Sequence, residues 1–231
     1  MDRGLYVAAA GMRAEQVRQD QLASDLANAA TPGYKRDRTI QSSFGDVLLS
    51  NTRTGAAVGR VGLGPYAVET ATDIRPSAAR ETGEPLDFAV EGDGFFSVRT
   101  DDGVRYARAG RFTAAPDGTL TDPSGNAVLG RDGAPVRVGA DGTVPADRLA
   151  VTLLTDPVKR GDGLFEGTPG GPGTAGPVRA GFLESSGVDP TRAMVDMIAS
   201  LRAFEAGQKS ITTIDETLGR AASQVGSATG S

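Results

Sequence analysis

Along residues 194–225 positions recur at alternating steps of three and four: Met194, Met197, Leu201, Phe204, Gln208, Ile211, Asp215, Leu218, Ala222 and Val225. All but Gln208 and Asp215 are apolar, and the steps are those of a coiled-coil seam. Asp189 before Pro190 supplies the start signal, a side chain that caps free backbone donors followed by a ring already set at helical φ, and Gly226 begins the stop. At ~1.5 Å rise per residue this helix is about 50 Å long, too long for a small core to cover. The seam predicts a partner.

A second helix is predicted over residues 4–29, where proline is absent and Gly11 is the one internal glycine. Its stripe, Leu5, Ala8, Ala9, Met12, Leu22, Ala23 and Leu26, is thin and mostly small, with a polar middle from Glu15 to Gln21 relieved by Val17. Pro32 and Gly33 end it. Asn28, at that end, reads either as a cap that bonds backbone or as a contact to a neighbouring subunit. Two helices at opposite ends of the chain, each with a narrow stripe, predict antiparallel or side-by-side pairing. A pair cannot enclose both stripes, so further copies or other chains are expected to finish the burial. The plainer alternative is an intramolecular helical hairpin, with Gln208 and Asp215 facing a solvated groove instead of setting register.

Between the helices the period changes. From residue 86 to 154 short apolar runs are punctuated by Asp93-Gly94, Asp102-Gly103, Asp117-Gly118, Asp132-Gly133 and Asp141-Gly142, a strong hairpin signal. The predicted strands are 88–90, 95–99, 104–107, 111–114, 127–129, 136–138 and 149–154, an antiparallel β domain. Residues 36–85, containing Phe44, Val47, Leu48, Leu49 and Tyr66, read as an extended connector with two strands. Residues 161–176, with Gly170-Gly171-Pro172-Gly173, read as a flexible return loop. The fold class is therefore α+β: an N-terminal helix (1–35), a connector (36–85), an inserted mainly antiparallel β domain (86–182) and a C-terminal helix (183–231) that pairs with the first in coiled-coil fashion.

Composition narrows the function classes. With 231 residues and 39% apolar content the chain has ample material for a core, and its glycines and prolines (32 and 13) concentrate between residues 31 and 190. It contains no cysteine and no histidine, which removes Ser-His-Asp and Cys-His catalysis, Cys/His zinc sites and disulfides. A net charge of -5, and no basic run longer than Lys35-Arg36-Asp37-Arg38, argue against a nucleic-acid groove. No apolar run reaches membrane-span length, so membrane insertion is not expected. The apolar patch at residues 5–10 meets Arg13 and Glu15 too soon for a cleaved signal peptide; export, where it occurs, is expected by another route.

Three separated motifs carry a resemblance. Leu26-Ala27-Asn28 followed by Thr31-Pro32-Gly33-Tyr34-Lys35 resembles the N-terminal signature of flagellar rod and hook proteins. Residues 86–96, Leu-Asp-Phe-Ala-Val-Glu-Gly-Asp-Gly-Phe-Phe, are similar to that family's central motif, followed by Tyr106, Arg108, Gly110, Arg111 and Phe112. Gly187-Val188-Asp189, Met194, Met197-Ile198, residues 202–205, Lys209, Thr213 and residues 215–218 resemble its C-terminal helix. Gly187, Phe204 and Ser24-Asp25 depart from the family's usual asparagine, tyrosine and paired asparagines, which bears on subtype, proximal or distal rod. The length is short for a hook protein. The resemblance implies a structural, non-enzymatic axial subunit of the flagellar basal-body rod, without cofactor or metal. Its terminal helices would form the inner tube of a helical polymer and transmit torque. Its partners would be copies of itself, other rod and hook proteins and the flagellar type III export apparatus, which delivers it outside the cytoplasm without signal cleavage. The expected packing seam is Leu5, Met12, Leu22, Leu26, Asn28, Met194, Met197, Leu201, Phe204, Ile211, Leu218 and Val225.

Two other classes compete. An extracytoplasmic cell-wall hydrolase would use a carboxylate pair such as Asp93 and Asp102. An adhesive or tail-like β module would use the helices only to oligomerise. Calcium binding by Glu91-Gly-Asp93-Gly or Asp101-Asp102-Gly103 lacks the EF-hand ligand order, and turn chemistry already explains those residues. The Gly-rich stretch at 167–176 lacks the Lys-Ser/Thr of a phosphate cradle.

Overall fold

In the computed structural model, which describes residues 3–43, 47–50, 57–61, 65–170, 173 and 175–228, helices stand at the two ends of a run of strands. In chain order these are α1 (Arg3–Ala27), β1 (Asp37–Ser43), β2 (Val47–Ser50), β3 (Ala57–Val61), β4 (Pro65–Thr72), β5 (Ala79–Glu81), β6 (Phe88–Val90), β7 (Phe95–Thr100), β8 (Gly103–Ala107), β9 (Thr113–Ala114), β10 (Leu120–Thr121), β11 (Ala127–Val128), β12 (Val151–Thr152), β13 (Leu154–Gly161), β14 (Leu164–Pro169), β15 (Val178–Ala180), β16 (Phe182–Glu184) and α2 (Pro190–Ala228). The class is α+β. The chain divides into two units: Met1–Leu26, Asp37–Ala71 and Pro190–Ser231 in one, Ala27–Arg36 and Thr72–Asp189 in the other.

The second unit is built around β7. One edge of that strand pairs with β8, and the other is shared by β11 (Val128 opposite Val98) and β12 (Val151 opposite Phe96). Antiparallel order continues outward as β13-β14-β8-β7-β11-β10-β9, with β15 on β6 and β16 on β5 as separate pairs. Because successive side chains leave a strand on opposite faces, β7 serves two apolar layers. Phe96 and Val98 enter the main core with Phe88, Val90, Phe112, Leu120, Val128 and Leu149. Phe95 joins Tyr106, Leu154 and Phe165 in a second cluster. Phe96 meets Phe112 edge-on at 5.3 Å between centroids, an arrangement the ring quadrupoles favour.

The Asp-Gly steps work as the sequence predicts at four places, one of them the turn at Asp102-Gly103 that joins β7 to β8, with Thr100 opposite Gly103 at positive φ. Asp117, Asp132 and Asp141 each accept the backbone N–H two residues ahead (Thr119, 3.0 Å; Ala134, 3.1 Å; Thr143, 3.2 Å), and the intervening glycines take positive φ. Asp93-Gly94 is different and corrects the hairpin expectation. The φ of Gly94 is not positive; a Cβ there would run into the Val151 side chain and the Ala175 carbonyl, so this glycine answers close packing.

Two further expectations are corrected. Residues 161–176 are not a loop throughout: β13 and β14 form a hairpin with Leu164 opposite Gly161, and Asp162-Gly163, both at positive φ, make its turn. Residues 36–85 carry five strands instead of two, with β1 on β4 and β2 on β3. Phe44, named in the sequence reading, lies outside the described residues. Residues 136–138 form no strand; of the three, only Arg137 makes an isolated bridge, to Thr119.

In the other unit α1 and α2 touch at two described points. The Ser200 hydroxyl donates to the Glu15 carboxylate at 2.6 Å, and Met12 Cγ lies 2.7 Å from where a Cβ on Gly207 would sit. Numbers fall along α1 as they rise along α2, so these contacts are antiparallel. The face of α2 that is buried or half-buried is Ala193, Asp196, Met197, Ser200, Phe204, Gly207, Ile211 and Ile214. Every seventh residue from Ala193 to Gly207 is small, which lets the α1 backbone come close.

Candidate functional site

The covered face of α2 is turned from the stripe that apolar spacing alone selects. Met197, Phe204 and Ile211 belong to both and are half-buried. Met194, Leu201 and Leu218 lie on the open flank with Gln208 and Asp215, so those two polar positions sit in solvent beside apolar neighbours. Met194, Val195, Ile198 and Leu201, at helical neighbour spacing, make one continuous apolar strip, from 45% (Leu201) to 61% (Val195) exposed. On α1, Leu5, Tyr6, Val7 and Val17 are exposed, while Met12, Leu22 and Leu26 are half-buried. The side chain of Val225 lies outside the described residues. Asn28 is half-buried; its side-chain oxygen accepts the Thr31 hydroxyl at 3.2 Å, and its backbone carbonyl accepts the Ser186 hydroxyl at 2.9 Å.

Sequence reasoning missed a second constellation: Lys35 of the first quoted motif and Arg108 of the second converge on one carboxylate, that of Glu184 at the end of β16, three residues before the third motif. Lys35 Nζ donates to Glu184 Oε1 at 2.6 Å and to the Arg75 carbonyl at 2.7 Å. Arg108 Nε donates to Glu184 Oε2, and its terminal nitrogens donate to the carbonyls of Gly94, Gly92 (2.6 Å) and Val90 (3.2 Å). The Ser77 N–H adds a 2.6 Å bond to Glu184 Oε1. The side chains of Lys35, Arg108 and Glu184 are 0%, 1% and 3% exposed. Two buried cations thus share one buried anion, and backbone carbonyls take the remaining donors, as buried charge requires. Burial lowers the Lys35 pKa below its ordinary 10.5, with the Glu184 carboxylate opposing that shift.

The turn that brings Lys35 here depends on Gly33. Its N–H donates to the Glu184 carbonyl at 2.9 Å, the Gly187 N–H returns to the Tyr34 carbonyl at 2.8 Å, and a Cβ on Gly33 would lie 2.6 Å from the Ala109 nitrogen. Lys159 of β13 closes the turn from outside: its ammonium sits 4.0 Å from the Tyr34 ring centroid and donates to the Lys35 carbonyl at 2.7 Å. Nearby, hydrogen bonds from Arg75 hold the Asp73 carboxyl well below the usual carboxylate range. The available signal was a charge flanked by apolar residues: Glu184 after Phe182-Leu183 in β16, and Arg108 between Ala107 and Ala109 just past the end of β8.

The expected catalytic pair, Asp93 with Asp102, is not assembled. Asp93 and Asp102, both exposed, stand beyond opposite ends of β7, a strand about 20 Å long at ~3.3 Å per residue. Glycosidase pairs work at about 5–9.5 Å. Among the described residues no group of three or more acidic side chains is placed to hold a metal, and no helix is long and apolar enough to cross a membrane.

Three family descriptions match the chain in order. "Flagella basal body rod protein" covers residues 5–35, "Flagellar hook protein FlgE/F/G D1 domain" covers 89–155, and "Flagellar basal body rod FlgEFG protein C-terminal" covers 179–224. Their edges bracket the charge cluster, with Lys35 in the first, Arg108 in the second and Glu184 in the third. Among similar proteins, the flagellar basal-body rod protein FlgG of Bacillus subtilis is 31% identical, with 94% of this chain and 97% of the relative aligned. The rod protein FlgF of Escherichia coli is 33% identical over 96% of this chain and 97% of its own length. Likeness of this extent, running through both helices and the β domain, makes this chain a member of the flagellar basal-body rod protein family.

Proposed function

We propose that this chain is a structural subunit of the bacterial flagellar basal-body rod, polymerising through its terminal helices into a tube that transmits torque from motor to hook. The observation that carries the reading is the apolar strip of Met194, Val195, Ile198 and Leu201, left open on a helix whose other face is already occupied. An exposed strip of this kind marks an interaction surface, and a heterologous contact that does not close propagates into a filament. Coiled-coil-like packing of the terminal helices within and between copies, along the seam from Leu5 to Val225, completes their burial. Other rod and hook proteins are the axial neighbours, and the flagellar type III apparatus exports the chain to its extracytoplasmic place without signal cleavage. The role is mechanical, not enzymatic.

The test is an Ile198→Glu/Leu201→Glu chain beside the wild type. The variant is expected to keep its helix content and β-domain melting, stay monomeric on sedimentation, and be missing from isolated basal bodies by immunolabelled electron microscopy. Incorporation at the wild-type level refutes the proposed surface.

A further inference from the structure

In a chain of net charge -5, one cleft inverts the local sign. It occupies about 530 Å³ on the β-domain unit, and Arg131, Arg137 and Arg148 line it together with Asp132, Asp147 and a short apolar stretch of Ala134, Pro135 and Val136. All three arginines are exposed, and among the described residues none of them makes an ion pair. Arg137 acts only at a distance, on the Asp117 carboxyl. The frame under them is fixed. The Arg131 N–H donates to the Arg148 carbonyl at 3.0 Å, Gly130 and Ala134 close a 2.8 Å turn, the Val136 N–H reaches the Val128 carbonyl at 2.9 Å, and Gly130 bridges to Leu149. One oxygen of Asp132 is spent on the Ala134 N–H of the turn.

From this arrangement we infer that the cleft is a docking site for a short acidic peptide segment of a protein partner. A guanidinium presents a planar fork matched to a carboxylate, so less entropy is lost per hydrogen bond formed than with an ammonium, and the rigid backbone beneath holds the three arginines' Cα positions in place. The two lining carboxylates leave about one net positive charge among five ionised groups. That balance is matched by one or two carboxylates carried on a chain and is exceeded several-fold by a dense polyphosphate, most of whose charge would face no cation here. Ala134 and Pro135, exposed beside the arginines, offer apolar surface for the peptide's intervening side chains. The site lies apart from the terminal helices and does not rest on their polymerisation.

The experiment titrates the full chain into a short fluorescein-labelled Ala/Asp/Glu peptide, followed by anisotropy, with the matching Ala/Asn/Gln peptide and polyphosphate as comparisons. The acidic peptide is expected to bind, weaken as salt is raised, and lose about tenfold in affinity with each of Arg131→Gln, Arg137→Gln and Arg148→Gln. Arg137→Lys, which keeps charge and loses the fork, is expected to fall between. The exposed positions of these side chains leave folding intact, checked by an unchanged thermal melt. Failure of the acidic peptide to bind, equal binding by the triple Gln variant, or tighter binding of polyphosphate than of the peptide overturns the assignment.

Discussion

Replacing Glu184 removes the one anion that Lys35 and Arg108 share. In the folded chain the cluster holds two cations and one anion, and none of the three side chains is more than 3% exposed. Glu184→Gln keeps the shape and a carbonyl acceptor but raises the buried net charge by one. Breaking a buried pair by removing one partner costs about 3–5 kcal/mol, because the remaining charge is left without compensation. At about 2–4 °C per kcal/mol for a chain of this length, that lowers the melting temperature by about 6–20 °C. A second substitution separates charge from packing. Lys35→Met/Glu184→Gln returns the buried charge to its original value, with Arg108 alone facing the Gln carbonyl, so the double variant is expected to be more stable than Glu184→Gln by itself. The assay is urea unfolding followed by tyrosine fluorescence and circular dichroism on all four members of the cycle. A Glu184→Gln loss below about 1 kcal/mol, or a double variant that merely adds the two single costs, refutes the reading that this carboxylate balances two desolvated cations.

Other outcomes follow from the same structure. Gly33→Ala forces a Cβ against the Ala109 backbone at a left-handed φ, so it is expected to cost at least about 2 kcal/mol in urea unfolding; a neutral result contradicts the turn geometry. Gly219→Ala, with open space at the new methyl, is expected to raise helix content and stabilise α2 by about 1 kcal/mol, whereas Gly207→Leu, built into Met12, lowers helix content on the same circular dichroism measurement. Lys35 gives a pH signature. Its folded pKa lies below the ordinary 10.5 because of burial, so the unfolded chain holds that proton more tightly, and the penalty persists below the folded pKa. Wild-type stability relative to Lys35→Met is therefore expected to rise as pH climbs from the folded value toward 10.5, by up to ~1.4 kcal/mol per pH unit; a flat or falling difference contradicts it.

What the sequence disclosed was whatever depends on local period and local turn chemistry. Strand 88–90 stands as β6, α2 begins at Pro190, both helices end near their proline and glycine signals, and Asp117, Asp132 and Asp141 make the turns that Asp-Gly implies. The β13–β14 hairpin was legible too, in Asp162-Gly163, but the surrounding glycines and prolines outweighed that pair in a reading by composition. Two things were not legible. Apolar spacing on α2 offers two overlapping stripes, and only the small residues at Ala193, Ser200 and Gly207, with Met12 against the last, decide which one faces α1. The charge cluster joins Lys35 to Glu184 across 149 residues and Arg108 to Glu184 across 76, and no local pattern ties such positions together. Each looked like an ordinary solvated charge until the fold removed its water.

Polymerisation through α2 requires an apolar flank that stays open in the single chain and closes between copies. Because the chain contains no cysteine, Leu201→Cys introduces the sole thiol, placed on that flank without a background signal. Its reaction rate with a maleimide, measured on dilute monomer and on basal bodies assembled with the same variant, reads the surface directly. Fast labelling in the monomer and strong protection after assembly are expected. Slow labelling in the monomer, or equal rates in both, contradicts polymerisation through this flank.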